Sequence, residues 1–301
     1  MSWRALALSL LLALVACGGR RTHSTRATAA AARVPTPQDR LLALLPQGAQ
    51  VVIEIDLARL RANPVVGALV TRVLGAGTLP DIAGVPAAPL GSAERIVLAS
   101  YGVGTAQAAT VTLIEAKAEV AGARPITEGV WGLGPPEWIE PIENRAALAA
   151  AGVGKQLAPP EDILALRDVA IPKGAPGSSV RVTARLGFDA RISLARQTGL
   201  DSAPAQLSLW GDVVDDAGIV LEADATDPGD KATKQAVARL EAAVRGALRA
   251  LAAEPLAKAL GLTSTISAAR ITVHGRWVRC VIAIGPEHLK RVVERANALL
   301  R

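Results

Sequence analysis

The sequence predicts an α+β fold built on a mostly antiparallel sheet with helices on one face. Three observations predict it. Strand-like runs with period-two alternation come in pairs joined by short turns, at 95–101 with 108–117, 205–212 with 219–225 and 266–273 with 277–284. Helical stripes follow these hairpins and strand–helix–strand crossovers are few, the longest stripe being Val237, Leu240, Val244, Leu248 and Leu251. The pattern also restarts. Strand 51–56, a helix and hairpin 95–117 are matched by strand 180–186, a helix and hairpin 205–225. The junctions agree as well, Ile55-Asp56-Leu57-Ala58-Arg59-Leu60 against Phe188-Asp189-Ala190-Arg191-Ile192, so the body reads as a degenerate duplication of a strand–helix–hairpin unit.

The elements follow in order. Thr36-Pro37 offers an N-cap with proline in the first turn, so a short helix runs to Leu45 and stops at Pro46. Gln50 to Asp56 alternates as a strand, with Val51, Ile53 and Ile55 on one side and Val52, Glu54 and Asp56 on the other. Asp56 caps the next turn, and Asn63-Pro64 opens a helix to Leu74 that Gly75 ends. Residues 75–89 are rich in Gly and Pro and read as a loop. The hairpin that follows turns at Gly102-Val103-Gly104. Arg145 to Ala151 is Ala-rich, and Gly152 and Gly154 after it favour a strand. Pro160-Glu161-Asp162 starts a helix with acids suited to its dipole. In the second half Asp189 caps a helix ending at Gly199, and Asp227-Pro228 caps the long one, which Pro255 breaks. Gly285-Pro286-Glu287 starts a final helix with Leu289, Val292, Val293, Ala296 and Leu299 on one face.

The amino terminus carries the most specific motif. Met1-Ser2-Trp3-Arg4 is a short charged start, 5–13 is an apolar run too short to span a bilayer, and Leu14-Val15-Ala16-Cys17 closes it. This tetrapeptide resembles the lipobox of bacterial cell-envelope lipoproteins. The resemblance implies a diacylglyceryl thioether on Cys17, cleavage after Ala16 and acylation of the new terminus. Gly18, standing where Asp would retain a lipoprotein in the inner membrane, resembles proteins sorted to the outer membrane. The expected organisation is a signal peptide at 1–16, a lipidated cysteine and flexible basic tether at 17–36, a first α+β half at 37–172 and a second at 173–301.

Charge and composition narrow the function classes. The chain carries +6, but Arg4 leaves with the signal and 18–40 holds five Arg against Asp39, so the body from 41 to 301 retains only +1. A nearly neutral body argues against nucleic acid. The basic tether instead suits a membrane surface, where each nearby charge contributes on the order of 1 kcal/mol. Aromatics are 2% of the chain, so the core must be aliphatic. Eight acids and no base fall in 201–230, against thirteen Lys and Arg and four Glu in 231–301, a polarity that internal pairing would neutralise. Cys280 is left without a disulfide partner and reads as a small buried apolar residue in a strand.

Catalytic and cofactor motifs are lacking. Gly152-Val153-Gly154-Lys155-Gln156 departs from a phosphate loop at Ala149 and Gln156, and there is no Gly-x-Ser-x-Gly. No metal site is expected from His274, His288 and Cys280, and no cofactor is expected. Glu54/Asp56 and Glu222/Asp224 are carboxylate pairs at strand spacing, which the wet side of an amphipathic strand explains. Trp131 and Trp138 flank a Gly- and Pro-rich stretch that reads as a partner-contact loop. The expectation is a non-enzymatic, lipid-anchored, periplasm-facing protein with a binding or envelope-assembly role, in contact with the membrane through Cys17 and with a protein partner or apolar ligand. A carrier of acyl chains is the alternative, and a hydrolase using His274 or His288 is a further one.

Overall fold

The computed structural model describes residues 36–75, 88–152, 158–170, 178–198, 204–211, 217–222 and 231–299. The expected signal peptide, Cys17 and most of the tether lie outside them, as do most of the 75–89 loop, Val153-Gly154-Lys155, Asp224 and the Asp227-Pro228 cap.

The elements are α1 (Asp39–Leu44), β1 (Val51–Asp56), α2 (Leu57–Ala62), α3 (Gly67–Gly75), β2 (Ala93–Tyr101), β3 (Ala109–Ala116), β4 (Arg124–Thr127), β5 (Val130–Leu133), α4 (Pro136–Ala150) and α5 (Glu161–Ala170). They continue as β6 (Val180–Arg185), α6 (Phe188–Thr198), β7 (Gln206–Gly211), β8 (Ala217–Glu222), α7 (Lys231–Ala253), α8 (Pro255–Ala259), α9 (Thr263–Ser267), β9 (Arg270–His274), β10 (Trp277–Ile282) and α10 (Pro286–Leu299). Among the described residues the strands form one ten-stranded sheet in the order β4-β5-β3-β2-β1-β6-β7-β8-β10-β9, and every neighbouring pair is antiparallel. The fold is therefore α+β with an antiparallel sheet.

Outward from the centre, each half repeats the same path. β1, β2, β3, β5, β4 on one side correspond to β6, β7, β8, β10, β9 on the other. In both halves a helix follows the last hairpin, α4 in the first and α10 in the second. The halves join through β1 and β6, with Ile53 opposite Val182 and Glu54 opposite Arg181.

Helices cover both faces of the sheet, which corrects the expectation of one face. Ile53 and Ile55 of β1, with Ile96 and Leu98 of β2, pack under α2, α3, α8, α9, α10 and the end of α7. Val52, Val97, Ala99, Val111 and Leu113 face the other way, under α1, α4 and α5. The reason lies in β2, where Ile96-Val97-Leu98-Ala99 is apolar at every position and is buried at every position. Such a run needs cover on both sides. At the far side of the second half, Val237, Leu240 and Val244 of α7 pack on Val278 and Cys280 of β10, as the stripe predicts.

Two local expectations also change. Residues 145–150 belong to helix α4 and not to a strand. Alanine has the highest helix propensity, and Gly152, with φ +66°, stops the helix by donating its N–H to the Ala149 carbonyl. Ile266 lies in α9, so the strand that follows is shorter than its apolar pattern suggests.

Candidate functional site

The most unusual chemistry in the body is a set of buried charges where the two halves meet. Glu54 lies in the middle of β1, on the face toward α1 and α5, and β1–β6 register sets Arg181 directly across from it. Both are buried, at 3% and 2% exposure, and Arg181 Nη1 lies 3.5 Å from Glu54 Oε1. Arg167 of α5 reaches the same carboxylate, Nη2 to Oε2 at 3.2 Å. Its other amino group, Nη1, meets Asp39 of α1 at 2.5 Å, while Nη2 also donates to the Thr36 hydroxyl at 2.5 Å. Asp39–Arg167–Glu54–Arg181 is thus a neutral chain of two acids and two arginines spanning α1, α5, β1 and β6.

Burial alone would raise the Asp39 carboxyl. The Arg167 hydrogen bond and the Thr36 N–H and hydroxyl outweigh it, holding the carboxyl below its ordinary value of 3.8. Beside this chain, the hydroxyls of Thr183 and Ser208 are fully buried cross-strand neighbours and make no hydrogen bond with a described group. This face is therefore polar at β6 and β7, whereas it is apolar at β2 and β3.

A second ladder crosses the first half on the same face. Asp56 accepts from the Gln38 side chain at 3.2 Å and from Arg59 N–H at 2.9 Å, the latter capping α2. Arg95 stands 3.8 Å from Asp56 and 2.8 Å from Glu115, and Arg40 of α1 approaches Glu115 to 3.8 Å. Arg145 of α4 donates to the Ala43 carbonyl at the end of α1, and the Tyr101 hydroxyl donates to the Pro46 carbonyl just beyond it. Leu41, Leu42, Leu44 and Leu45 are buried beneath. The short helix that opens the described body is fastened along its length, by charge at one end and carbonyl-directed donors at the other.

These placements revise the expected sites. Glu54 and Asp56 are not the wet side of β1, because both are buried and paired. Trp131 and Trp138 do not share a loop. Trp131 sits in β5 and packs on the α10 side of the sheet. Trp138 is in α4 on the opposite side, stacked on Tyr101 with ring centroids 4.1 Å apart and planes 24° apart. A Cβ at Gly132, between them, would come within 2.9 Å of Ile126 Cδ1 and 3.1 Å of Ile139 Cδ1, so these two side-chain ends pack closely over the glycine. Trp210 is buried against Trp277 and Val281, with Arg279 5.2 Å above its ring. His274 is exposed at the end of β9, and His288 Nε2 lies 3.1 Å from the Gly261 carbonyl and 3.4 Å from the Thr265 hydroxyl. Among the described residues no group of three or more metal-ligand side chains converges. Cys280 is buried at 2% exposure in the α7–β10 cluster, and burial pushes its thiol up to about 11. Cys17 lies outside the described residues.

The arginines of the network carry a signal in the sequence. Ile163, Leu166 and Arg167 fall at i, i+3 and i+4 of α5, which sets Arg167 inside the apolar stripe. Arg181 and Glu54 are opposite charges in the two strands that the internal repeat makes equivalent.

No family model and no curated protein matches the chain. A solved structure described as "Structure of crystal form I of TP0453" aligns over 86% of this chain and 98% of its own, at 10% identity and a TM-score of 0.39. That score is too low to carry an argument.

Breaking the network should be costly. Glu54→Gln and Arg181→Met, each leaving a buried charge unmatched, should lower the unfolding free energy by about 3–5 kcal/mol in urea titrations. A loss below about 1 kcal/mol would contradict the geometry. The stability that Asp39 contributes is present above its unfolded value of 3.8 and lost as pH falls through its depressed folded-state value, so Asp39→Asn should flatten the acid limb of the stability curve. In the native state at about pH 8, Cys280 should resist iodoacetamide and react only after unfolding, monitored by mass spectrometry.

Proposed function

We propose that this chain is a lipid-anchored protein of the bacterial cell envelope, held to the outer membrane on its periplasmic side and acting in binding or envelope assembly without catalysis. The observation that carries the reading is Leu14-Val15-Ala16-Cys17, placed after one charge and a short apolar run. The packing of the body supports it in one respect. A tether pulls on the residues where it enters the fold, and here those residues are α1. Asp39, Arg40 and Gln38 bind Arg167, Glu115 and Asp56, while four leucines are buried below. Arg167 then passes the load to Glu54 at the centre of the sheet. None of the described helices is long and apolar enough to cross a membrane, so attachment in this reading rests on the lipid.

The anchor is tested by growing cells with an alkyne-bearing fatty acid and tagging the protein. The wild-type chain should carry the label and Cys17→Ala should carry none; label on Cys17→Ala would refute the reading.

A further inference from the structure

The two helical layers of the body carry opposite charge. On the α10 side of the sheet, α7, α8 and α10 hold nine basic residues against Glu241, Glu287 and Glu294, with Glu254 between α7 and α8. On the opposite side, α4 and α5 hold six acids, Glu137, Glu140, Glu143, Glu161, Asp162 and Asp168, against Arg145 and Arg167. Both of those arginines are turned to internal duties, on the Ala43 carbonyl and in the buried network. Arg124 and Arg185 pair with Glu143 and Asp162, and of the other described side chains Glu137, Glu140 and Glu161 set the sign of that layer's surface.

Amphipathic spacing puts the basic residues outward. Val237, Leu240 and Val244 bury one side of α7, and Lys231, Lys234, Arg239, Arg245 and Arg249 are all exposed around the rest of the helix. Leu289, Val292 and Ala296 do the same for α10, exposing Lys290, Arg291 and Arg295. Arg245 and Lys290 have acidic neighbours within their own helices, Glu241 and Glu287. Arg239, Arg249, Lys258 and Arg291 are exposed, and of these Arg291 lies one turn after Glu287 and interacts with its charge.

From this we propose that the α7–α8–α10 layer is the surface by which the body lies against anionic phospholipid headgroups, with the acidic α4–α5 layer turned away. The proposal rests on the lipid-anchored reading and adds an orientation to it. In that reading residues 18–35, with four Arg, link the lipid to the body, and 18 residues reach at most about 60 Å. The body is thereby held where the surface potential acts. Thr36 enters on the acidic side, beside Arg167, so tether geometry alone would present the wrong layer. Charge decides against that, because each basic residue near an anionic surface favours binding about fivefold and each acid is repelled. The tether is long enough for the body to turn over.

Amine footprinting of the lipidated, full mature protein in vesicles tests the orientation. One vesicle preparation is phosphatidylcholine alone and the other contains about a third phosphatidylglycerol. Labelling of Lys234, Lys258 and Lys290 should slow about fivefold or more in the anionic vesicles, while Lys117, just beyond β3, should be unchanged. The protection should vanish in about 0.5 M salt and in the Arg239→Glu/Arg249→Glu/Arg291→Glu variant, and should persist in Glu137→Gln/Glu140→Gln. Circular dichroism of both variants reports whether they fold; if the arginine variant does not, the salt titration of the wild-type protein decides. Equal labelling in both vesicles, protection of every lysine alike, or protection that needs an added envelope protein would overturn the proposal. Failure of the anchor itself reads out separately, as protein that does not float with phosphatidylcholine vesicles and lacks acyl mass on Cys17.

Discussion

Everything in this body leans on the pairing of β1 with β6. That pairing closes two five-stranded halves into one sheet and sets Glu54 against Arg181 in its middle. Two charges facing each other inside a protein are costly to desolvate, and here neither strand can leave without stranding a charge. Arg167 shares the same carboxylate and carries the constraint outward to Asp39, so α1 and α5 are both tied to the strands at the seam. The specificity is in the register. A slip of one residue would send Glu54 and Arg181 to opposite faces of the sheet.

The repeated path of the strands explains why such a device sits at the centre. Antiparallel pairing of two equivalent strands leaves both halves growing outward as hairpins, and within the sheet they join only through the β1–β6 seam. The aliphatic core follows this plan on one face only. Residues from both halves meet in the cluster under α10 and α3, where the Arg72–Asn297 hydrogen bond ties the two helices. On the other face the apolar cluster belongs to the first half, and the seam is polar. Charge there replaces the apolar contact that joins the halves on the opposite side.

Much of this organisation is legible in periodicity and capping chemistry alone. The hairpins, the long α7 stripe, the Asp56 cap and the restart at β6 all follow from them. Local context conceals the rest. Glu54 alternates with apolar neighbours and so looks solvated, because its partners Arg181 and Arg167 lie more than a hundred residues away. The Ala-rich segment from Arg145 to Ala151 stops at a glycine, and a glycine ends helices and strands alike. Trp131 and Trp138 are seven positions apart in the chain but separated by the thickness of the sheet, since β5 turns into α4 between them. The charge polarity of the two layers is half visible in the basic carboxyl-terminal segment. Its meaning needs the layer assignment, which sets α4 and α5 opposite α7 and α10.

A charged seam of this kind makes the two halves one cooperative unit. Native-state hydrogen exchange against rising denaturant probes that directly, through the amides of β1 and β6 and of the strands flanking them. β2, β1, β6 and β7 should share one opening free energy equal to that of global unfolding, and Glu54→Gln should lower all four together. Exchange of β6 and β7 through a separate, lower-energy opening that leaves β1 and β2 protected would contradict it.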